Sequence, residues 1–190
     1  MVEKFEYPRW LDELWANEQR LRRLAENMGD AGFAARGPHN SWAAAQCLEH
    51  LVLTIRHFLP LWDQAIAQAQ PGPGTAYYAW WEKQFLAFME PPYRIKAKTN
   101  QPFQPRAVWT REESLELYLA AHELVKERAE RLKDLAIANL TIASPFAPWM
   151  KYNLAFSFDL LLAHERRHLW QAEQNLPQLS PAANLATQQP

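Results

Sequence analysis

Four long stretches of the chain carry apolar residues at the three- and four-residue spacing of an amphipathic α-helix, over about 8–28, 42–69, 111–135 and 149–175. Glycine is scarce, with 5 residues, and proline is common, with 14, a balance that favours helices joined by stiff loops over sheets with tight glycine turns. Strand patterns are nearly absent. The sequence therefore predicts an all-α fold, a four-helix bundle, and its 190 residues suit a single domain.

Local signals suggest where these helices begin and end. Pro8 suits a first-turn position and Gly29 suits a helix stop. Ser41 is a candidate N-cap for the second helix, which we expect Pro60 to kink or end because proline lacks an amide donor. Thr110 opens a capping-box pattern at the third helix. We expect the fourth helix to begin at about residue 149 and to stop before the proline at 177.

The segment 71–108, between the second and third helices, is longer than an antiparallel hairpin of helices requires. It is rich in proline and contains a candidate short helix over Tyr77–Met89. A crossover that leaves the second and third helices roughly parallel would use this length. We expect one domain over residues 1–176, followed by a polar, weakly ordered tail over 177–190.

Charge and composition exclude several classes of partner. The net charge is −1 and no dense block of lysine and arginine occurs, so we expect no nucleic-acid partner. No run of about 18 apolar residues suggests a membrane span, and the N-terminus lacks the order of a signal peptide. The single cysteine, Cys47, excludes an internal disulfide and is expected to be buried. We therefore expect a soluble, cytoplasmic protein whose partner is a small molecule.

The candidate site rests on histidines of the fourth helix. His164 and His168 stand at i and i+4, which places them on one helix face about 6 Å apart, where both rings could reach one ion. A polar row on the stripe that should face a bundle core requires compensation, because unpaired buried polar groups are costly. A metal with hydrogen-bonded neighbours is one such compensation. The other polar residues in the same narrow arc are Asn153, Ser157 and Gln171.

The second helix shows a similar polar row, formed by Gln46, His50 and His57. The two histidines are seven residues apart, about 10 Å along the helix axis, which is too far for both to bind one ion. One of them could join the histidine pair of the fourth helix, while the other would line the cavity. The residues alone do not decide between the two.

Two other metal-site patterns fit less well. The sequence His164-Glu-Arg-Arg-His168 matches the H-E-x-x-H pattern of zinc proteases, but the extended version needs glycine at 171 and histidine at 174, and both are glutamine. A di-iron bundle needs two Glu-x-x-His motifs on different helices, and only Glu165–His168 is present. Glu165 lies about 80° from the histidine face and is not assigned as a base. His122, on the third helix, is expected on a solvated or interface face.

Two segments resemble signatures of the DinB-like family, also called YfiT-like metalloenzymes. The segment Ser41-Trp-Ala-Ala-Ala-Gln-Cys-Leu-Glu-His-Leu51 resembles the signature of that family's second helix, and His164-Glu-Arg-Arg-His-Leu-Trp-Gln171 resembles the H-x-x-x-H signature of its fourth helix. The resemblance implies a four-helix bundle with up-down-down-up topology, often a homodimer. It also implies one divalent metal, usually nickel or zinc, held by His50, His164 and His168. His57 matches no ligand position of the family pattern.

A metal site with three histidine ligands and an open position is typical of a catalytic site, since structural sites usually have four protein ligands and no open position. Members of the resembling family include thiol-dependent transferases and isomerases. We therefore predict a metal-dependent enzyme, a thiol S-transferase or a hydrolase acting on a small molecule, with a low-molecular-weight thiol as a second cofactor in the transferase case. No general acid or base is assigned, so the catalytic residues are unknown. The alternative is a non-catalytic, metal-binding, stress-related module.

Overall fold

The computed structural model describes residues 3–38, 41–92 and 99–176. The described chain is mostly helical, as predicted, with four long helices and one short helix. The candidate short helix is present and begins three residues later than expected. The tail over 177–190 lies outside the described residues. The helices are α1 (Tyr7–Ala34), α2 (Ala44–Ala67), α3 (Trp80–Met89), α4 (Arg111–Arg131) and α5 (Leu154–Glu173).

Helix α1 buries Leu14, Leu21 and Leu24 along one face, and Pro8 lies in its first turn as expected. Gly29 interrupts the helix with φ of 61°, in the left-handed region that glycine adopts without steric cost. A second helical piece follows and ends at Ala34. The predicted stop at Gly29 is therefore a break inside a longer helix.

Helix α2 begins two residues later than the Ser41 N-cap predicted. Ala43 is the N-cap, and the Gln46 side-chain oxygen accepts a hydrogen bond from the Ala43 backbone N–H, 3.1 Å away. Alanine has no side-chain cap of its own, so the glutamine supplies the acceptor for a backbone donor at the helix start. Pro60 lies within α2 without ending it, because the helix continues to Ala67.

Helix α4 has the predicted capping box. The Thr110 hydroxyl accepts from the Glu113 N–H at 3.1 Å, and the Glu113 carboxylate accepts from the Thr110 N–H at 2.8 Å. The helix ends at Arg131 and a short 3₁₀ turn, Leu132–Asp134, follows it. The expected end near residue 135 agrees with this arrangement.

Helix α5 begins at Leu154, and the expected start near residue 149 is wrong. Residues Lys151–Asn153 form strand β4, which pairs antiparallel with β3 (Thr141–Ala143). This hairpin holds the chain extended up to the helix start, because the backbone groups of β4 are engaged by β3. A second short pair, β1 (Lys4–Phe5) with β2 (Ala76–Tyr77), lies near the start of α1.

The core lies between the long helices. Both α1 and α2 pack against α4 and α5, and the short α3 packs against α5. Phe158 of α5 stacks on Trp62 of α2, with ring centroids 4.2 Å apart, and meets Trp10 of α1 edge-on at 5.9 Å. These large buried rings hold α2 against α5, the two helices that carry the candidate ligands. Cys47 is buried, as expected.

A buried polar bridge joins α1, α4 and α5. His122 is fully buried between two carboxylates, with Nδ1 3.0 Å from Glu18 Oε1 and Nε2 2.8 Å from Glu165 Oε1. The expectation of a solvated or interface position for His122 is wrong. The two carboxylates come from neighbouring helices, and the periodicity of α4 alone contains no information about them.

Candidate metal centre

Three histidine side chains converge between α2 and α5. His50 comes from the first half of α2, while His164 and His168 occupy successive turns of α5. The Nε2 atom of His164 lies 3.2 Å from that of His50 and 3.0 Å from that of His168. One ligand nitrogen from each ring lies within 4.8 Å of the other two, and all three residues are buried. Spacing on α5 and packing of α2 against α5 together create this cluster.

The hydrogen bond at the far side of the His50 ring determines its tautomer. Nδ1 of His50 lies 2.7 Å from the backbone carbonyl oxygen of Phe103, and a carbonyl can only accept. Nδ1 therefore carries the proton and donates it to Phe103. In the neutral ring this leaves the lone pair on Nε2, the atom that faces the other two histidines.

Hydrogen bonding alone does not satisfy the cluster. His164 Nε2 carries either one proton or one lone pair, so it cannot make a good hydrogen bond to both neighbouring ring nitrogens. A divalent cation between the rings would accept all three lone pairs. Nitrogens bound at about 2.0–2.1 Å to a tetrahedral zinc lie roughly 3.3 Å apart, close to the observed 3.0 and 3.2 Å. The donor set therefore fits a divalent metal.

The electrostatic environment keeps the three rings neutral. Burial lowers the pKa of His50, and the Phe103 carbonyl partly opposes this effect. Burial, together with the repulsion that a protonated ring would meet from the other histidines and from Arg167, lowers the pKa of His164 and His168 well below the ordinary value. Metal ions bind unprotonated imidazole, so the cluster is ready to bind an ion at neutral pH.

The protein secures the Phe103 carbonyl from two sides. The Phe103 ring is buried and contacts His57 at a centroid distance of 4.6 Å and Phe146 at 4.3 Å. Glu49, next to His50, is buried and accepts hydrogen bonds from the backbone N–H groups of Arg106 and Ala107 at 2.8–3.0 Å. The connection before α4 is thereby tied to the helix that carries His50. Neither Phe103 nor Glu49 was predicted as a site residue from the sequence. A carboxylate in an otherwise apolar stretch of α2 was the available signal for Glu49.

A cavity of about 560 Å³ opens beside the three histidines. Its volume is typical of a small-molecule site. Most of its wall is apolar or aromatic, including Phe58, Phe85, Phe146 and Leu160. Trp42 forms part of the wall and stacks on His168, with centroids 5.9 Å apart. An ion on the three nitrogens would therefore face a largely apolar space.

Of the five polar residues predicted beside the histidines, one lines the cavity and the other four are engaged elsewhere. Gln171 lines the cavity. Gln46 is engaged at the start of α2, as described above. His57 lies outside the cavity wall, with Nδ1 donating to the Leu53 carbonyl at 2.8 Å. Asn153 caps α5 through the Ala155 N–H, and Ser157 accepts from the Trp62 indole at 2.7 Å. Sharing a helical arc was not sufficient, because local backbone groups and packed neighbours engage these side chains first.

A comparison with known protein families identifies the family of this chain. A sequence model described as the DinB superfamily matches residues 13–172. The chain belongs to the DinB superfamily. The resemblance drawn from the two helix motifs is therefore confirmed, and the match covers α2, α3 and α4 and most of α1 and α5. No curated protein and no solved structure gave a match.

Within residues 3–38, 41–92 and 99–176, no helix has the length and apolar character required to cross a membrane. The homodimer, the cytoplasmic location and the lack of a nucleic-acid partner stay predictions from the sequence.

Proposed function

We propose that this DinB superfamily member is a divalent-metal-dependent enzyme that transfers a thiol to a small electrophilic molecule. The observation that carries the proposal is the convergence of three buried imidazole nitrogens on one point beside a cavity of about 560 Å³. Nickel and zinc are the ions we propose, since imidazole suits both. A bound ion would supply Lewis acidity, which lowers the pKa of a thiol or water ligand.

The chain's own residues prepare the site for this chemistry. His50, His164 and His168 would hold the ion as neutral ligands, so the ion keeps its full positive charge for an anionic ligand. Phe103 orients His50 through its carbonyl group. The apolar walls would exclude water from the reacting sulfur, which strengthens its interaction with positive charge. In the proposed transfer, the thiol proton leaves to solvent, sulfur bonds to the electrophilic carbon, and the leaving group departs with the electrons of the broken bond.

Hydrolysis is the second candidate, supported by the donor set itself. Three neutral imidazoles with an open position are the ligand set that lowers the pKa of bound water to about 7 in known zinc enzymes. We rank it second because the cavity beside the histidines has a largely apolar wall. Such a wall suits an organic thiol and its electrophile better than a water-filled hydrolytic cleft.

A metal-binding module without catalysis is the third candidate. The cavity-lining residues that the structure describes include no Asp, Glu, Lys or Tyr, so no general acid or base of these types stands beside the histidines. Thiol transfer requires the least help of this kind, because a metal-lowered pKa already favours the thiolate.

We also infer that the four long helices follow the up-down-down-up order of the family. Contacts between α1 and α5 occur in the same order along both helices, which supports parallel directions. Contacts between α2 and α5 occur in reverse order, which supports opposite directions. The segment from residue 106 into α4 follows α2 in the same order. The pairs are Arg9–Asp159, Arg20–Glu173, His50–His164, Trp62–Ser157, Glu49–Ala107 and Asp63–Arg128.

Cobalt substitution tests the enzyme proposal. The Co²⁺-loaded protein is titrated with 2-mercaptoethanol, cysteine and glutathione, and the visible and charge-transfer bands are recorded. Sulfur ligation at the ion should produce a new thiolate-to-cobalt band with at least one thiol, and the same thiol should then be consumed with 1-chloro-2,4-dinitrobenzene. His57→Phe, which keeps an aromatic ring beside Phe103, should behave like the wild type, whereas His50→Ala should lose both signals. Unchanged spectra with every thiol would contradict thiol transfer, and consumption of ester substrates instead would favour hydrolysis.

A further inference from the structure

One ring nitrogen of the three-histidine cluster has no hydrogen-bond partner among the described residues. His168 directs Nε2 at His164 Nε2, 3.0 Å away, and its Nδ1 lies on the other side of the ring. This Nδ1 is buried and unpaired, and the residue as a whole is only 8% exposed. Buried polar atoms are nearly always hydrogen-bonded, so an unpaired one requires an explanation.

We propose that Gln171 is a positioning residue, whose side-chain amide oxygen accepts the Nδ1–H of His168 and so keeps the Nε2 lone pair turned toward the other two histidines. The inference rests on the metal site of the proposed function. A neutral imidazole that binds a metal through Nε2 carries its proton on Nδ1. Metal-bound histidines almost always donate this second N–H to a carboxylate, a carbonyl oxygen or a water molecule.

The place of Gln171 on α5 suits this role. It follows His168 by three residues, and residues at this spacing are neighbours on one helix face. Side chains on a helix lean toward its N-terminus, so the Gln171 side chain extends over the turn that contains His168. Gln171 also lines the cavity and is half-buried, which leaves its flexible side chain room to turn the amide oxygen onto Nδ1.

The effect of Gln171 on the His168 ring agrees with this contact. Burial is the largest influence on the pKa of His168 and lowers it, and the repulsion that a protonated ring would meet from the other two histidines and from Arg167 acts in the same direction. The Gln171 side chain acts in the opposite direction and raises the pKa. Acceptance of a ring N–H by the amide oxygen has this effect, because a hydrogen bond to the protonated ring favours it.

Neighbouring polar groups have other positions or partners. Trp42 stacks on the His168 ring and therefore covers its face, whereas Nδ1 lies on the ring edge. Asn175, one turn beyond Gln171, donates its amide to the Trp42 carbonyl at 2.7 Å. Gln174 is exposed at the end of α5. Of these side chains, Gln171 is the one that combines the right distance along the helix with a place in the cavity wall.

NMR of the histidine rings tests the proposal. The full-length protein is labelled with ¹⁵N in its histidines and measured before and after Zn²⁺ is added, and comparison with His168→Ala assigns the His168 signals. Correlations between ring protons and ring nitrogens show which nitrogen carries the proton. In the metal-free protein, Gln171→Met should lower the ratio of the Nδ1–H to the Nε2–H form of His168 by about two- to tenfold, the weight of one hydrogen bond.

The same variant should weaken metal binding. Gln171→Met keeps the length of the side chain and removes its amide, and we expect the affinity for Zn²⁺ to fall about 10- to 100-fold. Gln174→Met is the matched control, because it makes the same change at the exposed residue that ends α5. It should leave the ratio of the two ring forms and the Zn²⁺ affinity within about twofold of the wild type. Circular dichroism checks that each variant is folded.

Two results would overturn the proposal. One is an equal ratio of the two His168 ring forms in the metal-free wild type and Gln171→Met. The other is a Zn²⁺ affinity that falls equally in Gln171→Met and Gln174→Met. A wild type that binds no Zn²⁺ would instead contradict the proposed function, and the ratio measured without metal would still decide the role of Gln171, so the two proposals fail separately.

Discussion

The imidazole Nδ1 of His50 donates a hydrogen bond to the backbone carbonyl of Phe103, 2.7 Å away. This contact joins α2 to the connection that precedes α4 and turns the unprotonated Nε2 toward the other two histidines. A metal-binding imidazole is commonly oriented in this way by the partner of its second nitrogen. The long segment between α3 and α4 therefore supports the candidate site.

Shortening the Phe103 side chain should weaken metal binding without removing a ligand. In Phe103→Ala, the ring contacts with His57 and Phe146 are lost and the carbonyl is less firmly held. We expect the affinity for Zn²⁺ to fall about 10- to 100-fold, the usual effect of losing a partner of a ligand. Competition with a chromophoric chelator measures it. Phe103→Leu is the control that keeps an apolar anchor, and an unchanged affinity in Phe103→Ala would contradict the role given to this contact.

Removing the charge of Glu49 should destabilise the fold. Its carboxylate is buried and accepts from the Arg106 and Ala107 N–H groups, and an amide at this position accepts less strongly. Glu49→Gln should lower the free energy of unfolding by about 1–3 kcal/mol. Urea unfolding of the metal-free protein measures this loss. Glu116→Gln, on the exposed face of α4, should change the free energy of unfolding by less than about 0.5 kcal/mol. Equal effects of the two variants would contradict a stabilising role for the hydrogen bonds that Glu49 accepts.

The buried His122 should make stability depend on pH. Burial lowers the pKa of His122, but Glu165 and Glu18 outweigh it and raise the pKa to about 9. Lys126 also faces Glu18, at 3.4 Å, and the Tyr118 ring packs on the imidazole. The folded state thus holds a proton that the unfolded chain releases near its ordinary pKa of 6.5. Stability from this group is complete below that value and is lost as the pH rises toward 9.

Chemical unfolding at several pH values measures this loss. Between about pH 6.5 and 8.5 the wild type should lose roughly 2 kcal/mol of unfolding free energy through His122. His122→Gln keeps a polar side chain that does not titrate, so its profile should be flatter over the same range. Parallel profiles for the two proteins would show that His122 is not charged between its two carboxylates.

Sequence periodicity was a reliable guide where a helix depends on its own residues. The apolar spacing of α1, α2 and α4, the Thr110 capping box and the i, i+4 pair on α5 all follow from local chemistry. Two features could not be predicted from helix periodicity. The start of α5 depends on the pairing of Lys151–Asn153 with β3, which the helical spacing of apolar residues does not indicate. The burial of His122 depends on carboxylates from α1 and α5.

Some residues of the candidate site could likewise be predicted from the sequence, and others could not. His164 and His168 could be paired from spacing alone, whereas the choice of His50 over His57 needed the family resemblance. In the structure the two histidines of α2 face different partners, and His57 donates to its own helix at Leu53. The Phe103 carbonyl had no sequence signal, because every residue offers a backbone carbonyl.

The most direct test of the three-histidine site is metal content measured on matched variants. The wild type, His50→Ala and His57→Phe, which keeps an aromatic ring beside Phe103, are loaded with Zn²⁺ or Ni²⁺, passed over a desalting column with a weak chelator, and measured by elemental analysis. The wild type and His57→Phe should retain about one ion per folded chain, while His50→Ala should retain far less, because one of the three ligands is lost. No retained ion in the wild type, or equal retention in His50→Ala and His57→Phe, would contradict a metal centre formed by His50, His164 and His168.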